Sequence, residues 1–409
     1  MNDNLVTVLD IGSTKTVCLA AAPSEDDGLE VAGIAISESR GVRRGVISDI
    51  DEAAKSIDNA LRRLKSEVGH DVPGVVVGVG GSHVEGMNAQ GFVPIYPRSR
   101  VITREDVLQV INHSRQVVLP PDREMIQALP REFRVDGQRG VLRPIGMNGS
   151  KLECMTYVVS GQATQMQNIE KAVTMTGHRV DQVVLLPLAS GLGALTQEQI
   201  ELGAAVIDIG GGVTEIAVFS GGSVAFSASI PIGGSLVTSD VSKLLKTSPD
   251  EAERLKALYG AASARNIAEK ETVEVHQIGH VAARPMQRKV LCEIIESRMR
   301  ELALMAKQQI EKSGMYGVLP GGVVLTGGGA MLEGTQNLFE DVLKHLRVTV
   351  VEPKVNGAAH GLTDRPGMAA ALGMARFAIQ CFGDELGPAG GAGWKERVRT
   401  FWSLLSGKA

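Results

Sequence analysis

The stretch Val206 to Phe219, VIDIGGGVTEIAVF, constrains the fold more than any other part of the chain. A run of β-forming residues ends in Asp208, three glycines follow, and a second β-forming run begins at Ile216, which predicts a tight hairpin. Glycines at a hairpin tip let consecutive backbone N–H groups point at one anion, and the aspartate can hold a hydrated Mg²⁺. Taken alone, the motif is also compatible with an ordinary glycine-rich turn.

The same pattern occurs near the N-terminus. Val6 to Leu19, VTVLDIGSTKTVCL, places Asp10 and a Gly-Ser-Thr-Lys turn between two β-forming runs. Two such hairpins facing each other would hold a phosphate chain from both sides, with Asp10 and Asp208 near the metal ion. A third glycine turn lies in Val323 to Gly334, VVLTGGGAMLEG, where a predicted strand ends before a predicted helix and backbone can approach a flat ring closely.

Three glycine turns in this order and at this spacing resemble the actin, Hsp70 and sugar-kinase superfamily, in which they are the phosphate-1, phosphate-2 and adenosine motifs. The resemblance covers nearly the whole chain. It implies two duplicated α/β domains around a cleft that binds ATP or ADP with Mg²⁺, the metal being held through water by Asp10 and Asp208. The implied nucleotide-binding residues are Asp10, Gly12, Ser13, Thr14, Lys15, Asp208, Gly210, Gly211, Gly212, Thr214, Gly234, Glu253, Lys256, Gly327, Gly328, Gly329 and Met331.

Glu253 and Lys256 enter this set because they stand three residues apart on a predicted helix, Pro249 to Leu258. They match the Glu-x-x-Lys that contacts ribose in actin-like relatives. A surface ion pair is the alternative for this spacing.

Composition agrees with a cytosolic protein of two or more domains. The chain has 409 residues, 44% hydrophobic and 22% charged, and its net charge of -4 gives no reason to expect nucleic-acid binding. The four cysteines are scattered, without a CxxC pair, which favours reduced thiols in a protein core. No signal peptide is predicted, and no apolar run is long enough to span a bilayer.

Residues 83–161 lack the strand and helix alternation of their flanks and contain six prolines, which predicts an inserted subdomain. One helix is predicted from Arg104 to Val117, and a strand from Cys154 to Ser160 leads back into the main fold. Actin places its extra subdomain elsewhere. An insertion directly after the GVGGSHVEG strand resembles the FtsA family of bacterial cell-division proteins, whose SHS2-type subdomain 1C lies there.

The residue before Pro187 departs from active superfamily members, in which a glutamate at this position polarises the attacking water. Leu186 stands here, and a leucine can neither orient water nor accept a proton. We therefore expect slow ATP hydrolysis, with ATP acting chiefly as a structural ligand. Glu215 is the acidic substitute that the cleft motifs offer, and it is the candidate catalytic residue.

The C-terminus has the composition of a flexible linker, Gly383 to Gly393, followed by an amphipathic helix. Both tryptophans of the chain lie in that helix, and its basic residues exceed its acidic one, which suits an anionic bilayer surface. Docking on its own domain or on another protein is the alternative. The predicted membrane-binding residues are Trp394, Lys395, Arg397, Val398, Arg399, Phe401, Trp402 and Leu405. FtsA proteins end in the same way.

The predicted boundaries follow from these features. They are 1–82 and 162–195 for subdomain 1A, 83–161 for 1C, 196–232 and 314–365 for 2A, 233–313 for 2B, 366–382 for a helix returning to 1A, 383–393 for the linker and 394–409 for the membrane-targeting helix.

The resemblance to FtsA implies an actin-like polymer on the cytoplasmic face of the inner membrane at the division site. It also implies that subdomain 2B binds the C-terminal peptide of the tubulin-like protein FtsZ and that 1C recruits later divisome membrane proteins. Two other interpretations stay open. One is a PilM-like type IV pilus scaffold, against which the membrane-binding tail argues; the other is a sugar-kinase-type phosphotransferase, against which Leu186 and the tail argue.

Overall fold

The structure is a computed structural model of the chain, and it describes residues 5–24, 29–280, 282–351, 353, 356–357 and 363–382. The predicted linker and membrane-targeting helix, residues 383–409, lie outside the described residues. None of the helices in the described part of the chain has both the length and the hydropathy needed to cross a bilayer.

The strands of the described residues are, in chain order, β1 (Val6–Ile11), β2 (Lys15–Pro23), β3 (Leu29–Glu38), β4 (Val42–Arg43), β5 (Val46–Ile47), β6 (Gly74–Val79), β7 (Val84–Pro94), β8 (Arg100–Val101), β9 (Arg123–Val135), β10 (Gln138–Val141), β11 (Asn148–Gly149), β12 (Lys151–Gln162), β13 (Arg179–Leu185), β14 (Ala204–Ile209), β15 (Thr214–Ser220), β16 (Ser223–Ile230), β17 (Thr272–Val275), β18 (Arg284–Gln287), β19 (Val323–Thr326), β20 (Val348–Val350) and β21 (Asn356–Gly357).

The helices of the same residues are α1 (Ile50–Val68), α2 (Arg104–Arg115), α3 (Ala163–Thr174), α4 (Leu186–Ala194), α5 (Gln197–Leu202), α6 (Gly234–Leu245), α7 (Pro249–Tyr259), α8 (Arg288–Lys312), α9 (Thr335–Leu343) and α10 (Ala369–Phe382). Short 3₁₀ turns cover Gly328–Met331 and Pro366–Met368.

Two sheets repeat one arrangement and confirm the duplicated α/β architecture. The first has the order β13-β6-β1-β2-β3-β21, and the second has the order β16-β15-β14-β19-β20. In each sheet a hairpin extends into a third antiparallel strand on one side, as β1-β2-β3 and as β14-β15-β16. On the other side the central strand pairs in parallel, with β6 in the first sheet and β19 in the second. The ends of β1 and β14 therefore carry equivalent turns.

Helices α4 and α10 cross between the two halves at small residues. A β-carbon at Gly373 would collide with the carbonyl of Ala189, and one at Gly193 would collide with the carbonyl of Ala369. Only glycine allows backbone to approach backbone so closely at these two positions. Arg376 adds a bond from Nη1 to the carbonyl of Leu192 at 2.7 Å.

The inserted subdomain is present as a separate four-stranded sheet with the order β10-β9-β12-β7. Helix α2 packs against one face, where Val93, Val110 and Leu152 are buried in a common core. The helix begins at the predicted residue, because Thr103 and Asp106 form a capping box. It ends at Arg115, two residues before the predicted end.

Candidate functional site

A cavity of about 990 Å³ lies where the glycine turns converge. Its volume is at the upper end of the usual range for small-molecule sites, roughly 300–1,000 Å³. The lining contains every predicted nucleotide-binding residue except Thr214, together with Glu215 and Leu186. Residues separated by more than 300 positions in sequence are thus brought to one site.

The two phosphate-motif turns have the same backbone geometry and touch each other. Gly12 N–H donates to the carbonyl of Lys15 at 3.1 Å, and Gly210 N–H donates to the carbonyl of Val213 at 3.0 Å. A β-carbon at Gly211 would lie 2.5 Å from the Thr14 hydroxyl oxygen. Glycine at position 211 therefore allows the two turns to approach each other, as expected for hairpins that hold a phosphate chain from both sides.

The third turn is held open toward the cavity. Gly327 has φ +83°, and its N–H donates to the carbonyl of Pro366 at 3.2 Å. The hydroxyl of Thr326 donates to the same carbonyl at 2.6 Å. Around Gly328, by contrast, no protein atom lies within 4 Å of the position that a β-carbon would take. A flat ring can approach the backbone here without meeting a side chain.

Asp10 and Asp208 are half-buried residues of the cavity lining, and the charge of Lys15 acts on both. Burial raises the pKa of Asp10 to about 6, while Lys15 lowers it and Asp208 raises it. Burial likewise raises the pKa of Asp208, against a hydrogen bond from Ser190 and the charge of Lys15. Lys15 Nζ donates to the carbonyl of Gly367 at 2.8 Å. Two desolvated carboxylates with raised pKa values form a site that favours a cation.

This donor set fits a hydrated Mg²⁺. Magnesium is usually held by one or two carboxylates, several waters and substrate phosphates. Within the described residues, no group of three or more His, Cys, Asp or Glu side chains could hold a metal by itself. Asp10 and Asp208 match the number of protein ligands that a nucleotide-bound magnesium needs.

Glu215 is the buried acid of the cleft, with 7% of its surface exposed. Its Oε1 accepts a hydrogen bond of 2.5 Å from Gly81 N–H, and its Oε2 accepts one from the Ser229 hydroxyl. Burial raises its pKa to about 7. Both Glu215 and Leu186 lie against Gly80, since a β-carbon there would be 2.5 Å from Glu215 Oε1 and 3.2 Å from Leu186 Cδ1. Glu215 therefore lies beside Leu186, the residue that precedes Pro187.

Glu253 and Lys256 form a bonded pair at the cavity wall. Lys256 Nζ lies 2.6 Å from Glu253 Oε2 and 2.8 Å from the Thr238 hydroxyl oxygen. The lysine also donates to the carbonyl of Gly234 at 3.2 Å, which ties α7 to the start of α6. The lysine is mostly buried and the glutamate is half exposed, so a polar ligand can reach the carboxylate.

The position of Thr214 requires a correction. Its side chain is fully buried, and its hydroxyl donates to the carbonyl of Ile232 at 2.8 Å. Thr214 therefore connects β15 to the segment after β16 and does not line the cavity, although the neighbouring Glu215 does. Successive side chains of a strand point to opposite faces, which explains why only one of the two reaches the cleft.

Ser190 is a site residue that sequence analysis did not identify. It lies on α4, is fully buried, and donates from Oγ to Asp208 Oδ2 at 2.6 Å. Ser190 itself does not line the cavity, whereas Gly45 and Arg288 line it without having been predicted. Ser190 could have been suspected as the one hydroxyl among the small apolar residues that follow Pro187, but its partner depends on tertiary packing.

Comparison with protein families identifies two matching domains. The family model described as "Cell division protein FtsA" matches residues 205–373. The one described as "SHS2 domain inserted in FTSA" matches residues 81–160, the segment that forms the separate four-stranded sheet. The inserted subdomain predicted from sequence is therefore confirmed.

Curated relatives are similar along nearly their whole length. The chain is 37% identical to cell division protein FtsA of Borreliella burgdorferi over 378 residues, covering 92% of this chain and 91% of that protein. It is 35% identical to the FtsA of Neisseria meningitidis serogroup B over 391 residues, covering 95% and 93%.

Solved structures show that the fold is actin-like. The chain superposes on a chain of the PilM-PilN type IV pilus biogenesis complex with a TM-score of 0.65 and 17% identity, covering 91% of this chain and 98% of that one. It superposes on MreB5 of Spiroplasma citri bound to ADP with a TM-score of 0.56 and 13% identity, covering 94% and 99%. At such identities the likeness concerns the fold alone.

Proposed function

The chain belongs to the FtsA family of cell-division proteins, and we propose on this basis that it binds ATP with Mg²⁺ and acts as an actin-like filament protein of the division machinery. The observation that carries the proposal is the convergence of all three glycine turns on one cavity of nucleotide size. Family membership favours this function over the PilM-like scaffold and over the sugar-kinase-type phosphotransferase.

Each part of the cavity suits one part of a nucleotide. Backbone N–H groups of the two touching turns, with Lys15, bind phosphate oxygens, and Asp10 and Asp208 hold Mg²⁺ through water. Glu253 and Lys256 bind the ribose, and the turn from Gly327 to Gly329 with Met331 contacts the base. Bound Mg²⁺ supplies neutralisation of phosphate charge.

Hydrolysis is slow in this proposal because the water-polarising position is apolar. Leu186 accepts no proton, and Glu215 already accepts hydrogen bonds from Gly81 and Ser229. A carboxyl whose pKa lies near 7 can still act as a general base near neutral pH. Glu215 therefore supports a low rate of turnover, and bound ATP serves chiefly to hold the two domains together.

The cellular role that we propose is attachment of division filaments to the membrane. Residues 394–409 bind anionic lipids of the inner membrane, residues 233–313 form subdomain 2B and bind the C-terminal peptide of FtsZ, and residues 83–161 form subdomain 1C and recruit later divisome proteins. Support comes from family membership and from the pairing of tryptophans with basic residues in the tail. Filament formation is supported by the actin-like fold.

Liposome co-sedimentation tests the membrane part of the proposal. The full chain is compared with a chain that ends at Gly393, using vesicles with and without anionic phosphatidylglycerol, in the presence and absence of MgATP. We expect only the full chain to pellet, and only with anionic vesicles. A control chain with Trp394 and Trp402 both changed to Ala keeps the tail charge and is expected to stay in solution.

Binding of MgATP is measured on the same proteins by calorimetry. Because the proposed nucleotide site does not include the tail, the full and truncated chains are expected to bind MgATP equally. If the full chain and the truncated chain pellet equally, the tail is not a membrane anchor. If neither binds MgATP, the nucleotide part of the proposal is wrong whatever the vesicles show.

A further inference from the structure

Strand β16 contacts both Glu215, the buried acid of the nucleotide cleft, and the inserted subdomain. It forms the edge of the second sheet, where Ser229 lies directly opposite Glu215 in the ladder with β15. Two residues earlier, Ser227 meets the inserted subdomain. Residues two apart on a strand share a face, so the two serines stand side by side.

Tyr157 of β12 makes the contact on the insertion side. Its hydroxyl oxygen accepts a hydrogen bond of 2.7 Å from Ser227 N–H and lies 3.0 Å from Ser227 Oγ. The ring is 1% exposed. A β-carbon at Gly86 of β7 would collide with the tyrosine hydroxyl, so the glycine makes room for it. A second bond, from Ser223 Oγ to the carbonyl of Pro130 at 3.2 Å, fixes the same strand to β9.

A second set of hydrogen bonds connects β16 to the insertion through Glu215. Ser229 donates to Glu215, and Glu215 accepts from Gly81 N–H at 2.5 Å. Gly81 lies just after β6, on the chain that leads into the insertion, and its carbonyl accepts from Val84 N–H at 3.0 Å. Val84 is the first residue of β7. The contacts therefore form a closed ring through β16, Glu215 and the neighbouring strands β7 and β12 of the inserted sheet.

We propose that Tyr157 and Ser229 are positioning residues that couple Glu215 in the nucleotide cleft to the inserted subdomain. If the second sheet moves relative to Gly81, either the hydrogen bond between Gly81 and Glu215 breaks or the insertion moves together with the sheet. Conversely, a partner that tilts the inserted sheet pulls on Ser227 and thereby on the strand that holds Glu215. The consequence for nucleotide binding rests on the proposed function, whereas the mechanical link does not.

The link consists of a few hydrogen bonds, although Tyr157 itself is buried in the main hydrophobic core. Each is a single hydrogen bond, worth about 0.5–1.5 kcal/mol when it is neutral. Loss of one such bond therefore shifts the balance of two arrangements by about twofold to thirteenfold.

Amide hydrogen exchange on the full, nucleotide-free chain tests the link directly. Tyr157→Phe removes only the hydroxyl, and we expect exchange of the segment Gly80 to Val84 to rise at least threefold, although none of these residues touches Tyr157 through a hydrogen bond. Tyr316→Phe is the matched control, since it removes a tyrosine hydroxyl that donates to the carbonyl of Leu343 in the second half. Unchanged exchange at Gly80 to Val84 in Tyr157→Phe would overturn the proposal.

A double-mutant cycle then asks whether the link acts on the nucleotide. The Kd for MgATP is measured for Tyr157→Phe, for Ser229→Ala and for both together. If the two residues are coupled, the change in Kd of the double variant differs by at least twofold from the product of the changes in the two single variants. Ser227→Ala keeps the N–H that donates to Tyr157, and we expect it to have the smaller effect.

The two measurements separate the possible failures. If the wild-type chain does not bind MgATP, the proposed nucleotide function fails, and exchange alone decides the mechanical link. If MgATP binds and the Kd change of the double variant equals the product of the single changes, Ser229 and Tyr157 act independently, and the proposed coupling to the nucleotide is wrong.

Discussion

Replacing Glu215 by glutamine is expected to stabilise the nucleotide-free protein while removing its residual ATPase activity. The carboxylate accepts one bond from Gly81 N–H and one from the Ser229 hydroxyl. A glutamine can keep both contacts, because its amide oxygen accepts from Gly81 and its NH₂ donates to the serine oxygen once that hydroxyl rotates. The change therefore removes the charge without removing the hydrogen-bond partners.

The size of the gain follows from the pKa of this carboxyl. Burial raises it from 4.5 to about 7 in the folded chain, against the lowering effect of the bonds from Ser229 and Gly81. Such a shift corresponds to about 3 kcal/mol of unfolding free energy. Below pH 4.5 the group is protonated in both states and contributes nothing. As the pH rises from 4.5 to 7 the folded chain holds a proton that the unfolded chain releases, so stability falls, and above pH 7 the loss is constant.

Urea unfolding at pH 5 and at pH 8 measures the effect. Glu215→Gln is expected to gain about 2–3 kcal/mol at pH 8 and clearly less at pH 5. Glu251→Gln is the control with the opposite sign, because hydrogen bonds from Arg254 lower the pKa of that carboxyl and its charged form stabilises the fold. The reasoning is refuted if Glu215→Gln destabilises the chain at pH 8, or if its gain is the same at both pH values.

Three further substitutions test the cleft and the helix crossing. Leu186→Glu places an acid beside Gly80 and is expected to raise phosphate release from ATP at least tenfold, with Leu186→Gln as the uncharged control. Gly328→Ala adds a methyl group where no protein atom lies within 4 Å, so the Tm should change by no more than about 3 °C. The Kd for MgATP is expected to rise at least tenfold. An unchanged Kd would contradict binding of the base at this turn. Gly373→Ala drives a methyl group into the carbonyl of Ala189 and is expected to cost about 3 kcal/mol in urea unfolding, whereas Gly317→Ala, with open space around it, should be neutral.

The two hairpins and the residues of their turns could be predicted from sequence because the signals are local. Asp208, three glycines and two β-forming runs specify a turn within a few residues, and the repeat at Asp10 indicates a duplicated scaffold. The position of the inserted subdomain could also be predicted, because the segment lacks the alternation of strands and helices found in its flanks. Such features depend on neighbours in the chain, which is where sequence patterns carry most information.

The remaining features depend on how distant elements meet. Ser190 and Asp208 come from different elements, and nothing in either segment indicates that the hydroxyl reaches the carboxylate. The pairing of Tyr157 with Ser227 requires the docking of one sheet on the edge of another. Thr214 follows the glycines of the second hairpin, which predicts a contact with the nucleotide. Because side chains alternate along a strand, its side chain points away from the cavity.

The duplicated register shows how two similar halves acquire different chemistry. Asp10 pairs with Val17 across the first hairpin, and Asp208 pairs with Glu215 across the second, so Glu215 occupies the position of a valine. In the turns themselves, Lys15 and Val213 each provide the carbonyl that accepts from the first glycine, so a cation stands where the second half has an aliphatic residue.

At these two pairs of equivalent positions, the first half thus has the positive charge and the second half has the buried acid. Thr16 and Thr214 are equivalent in the same register, and both are fully buried, which explains the correction at Thr214 as a property of the scaffold. The duplication accounts for the paired turns of the cleft, and the differences at these two positions make the two turns chemically different. A phosphate chain bound between the turns would therefore meet Lys15 from the first half and the buried acid Glu215 from the second, two groups of different charge at sites that the duplication made equivalent to an aliphatic residue in the other half.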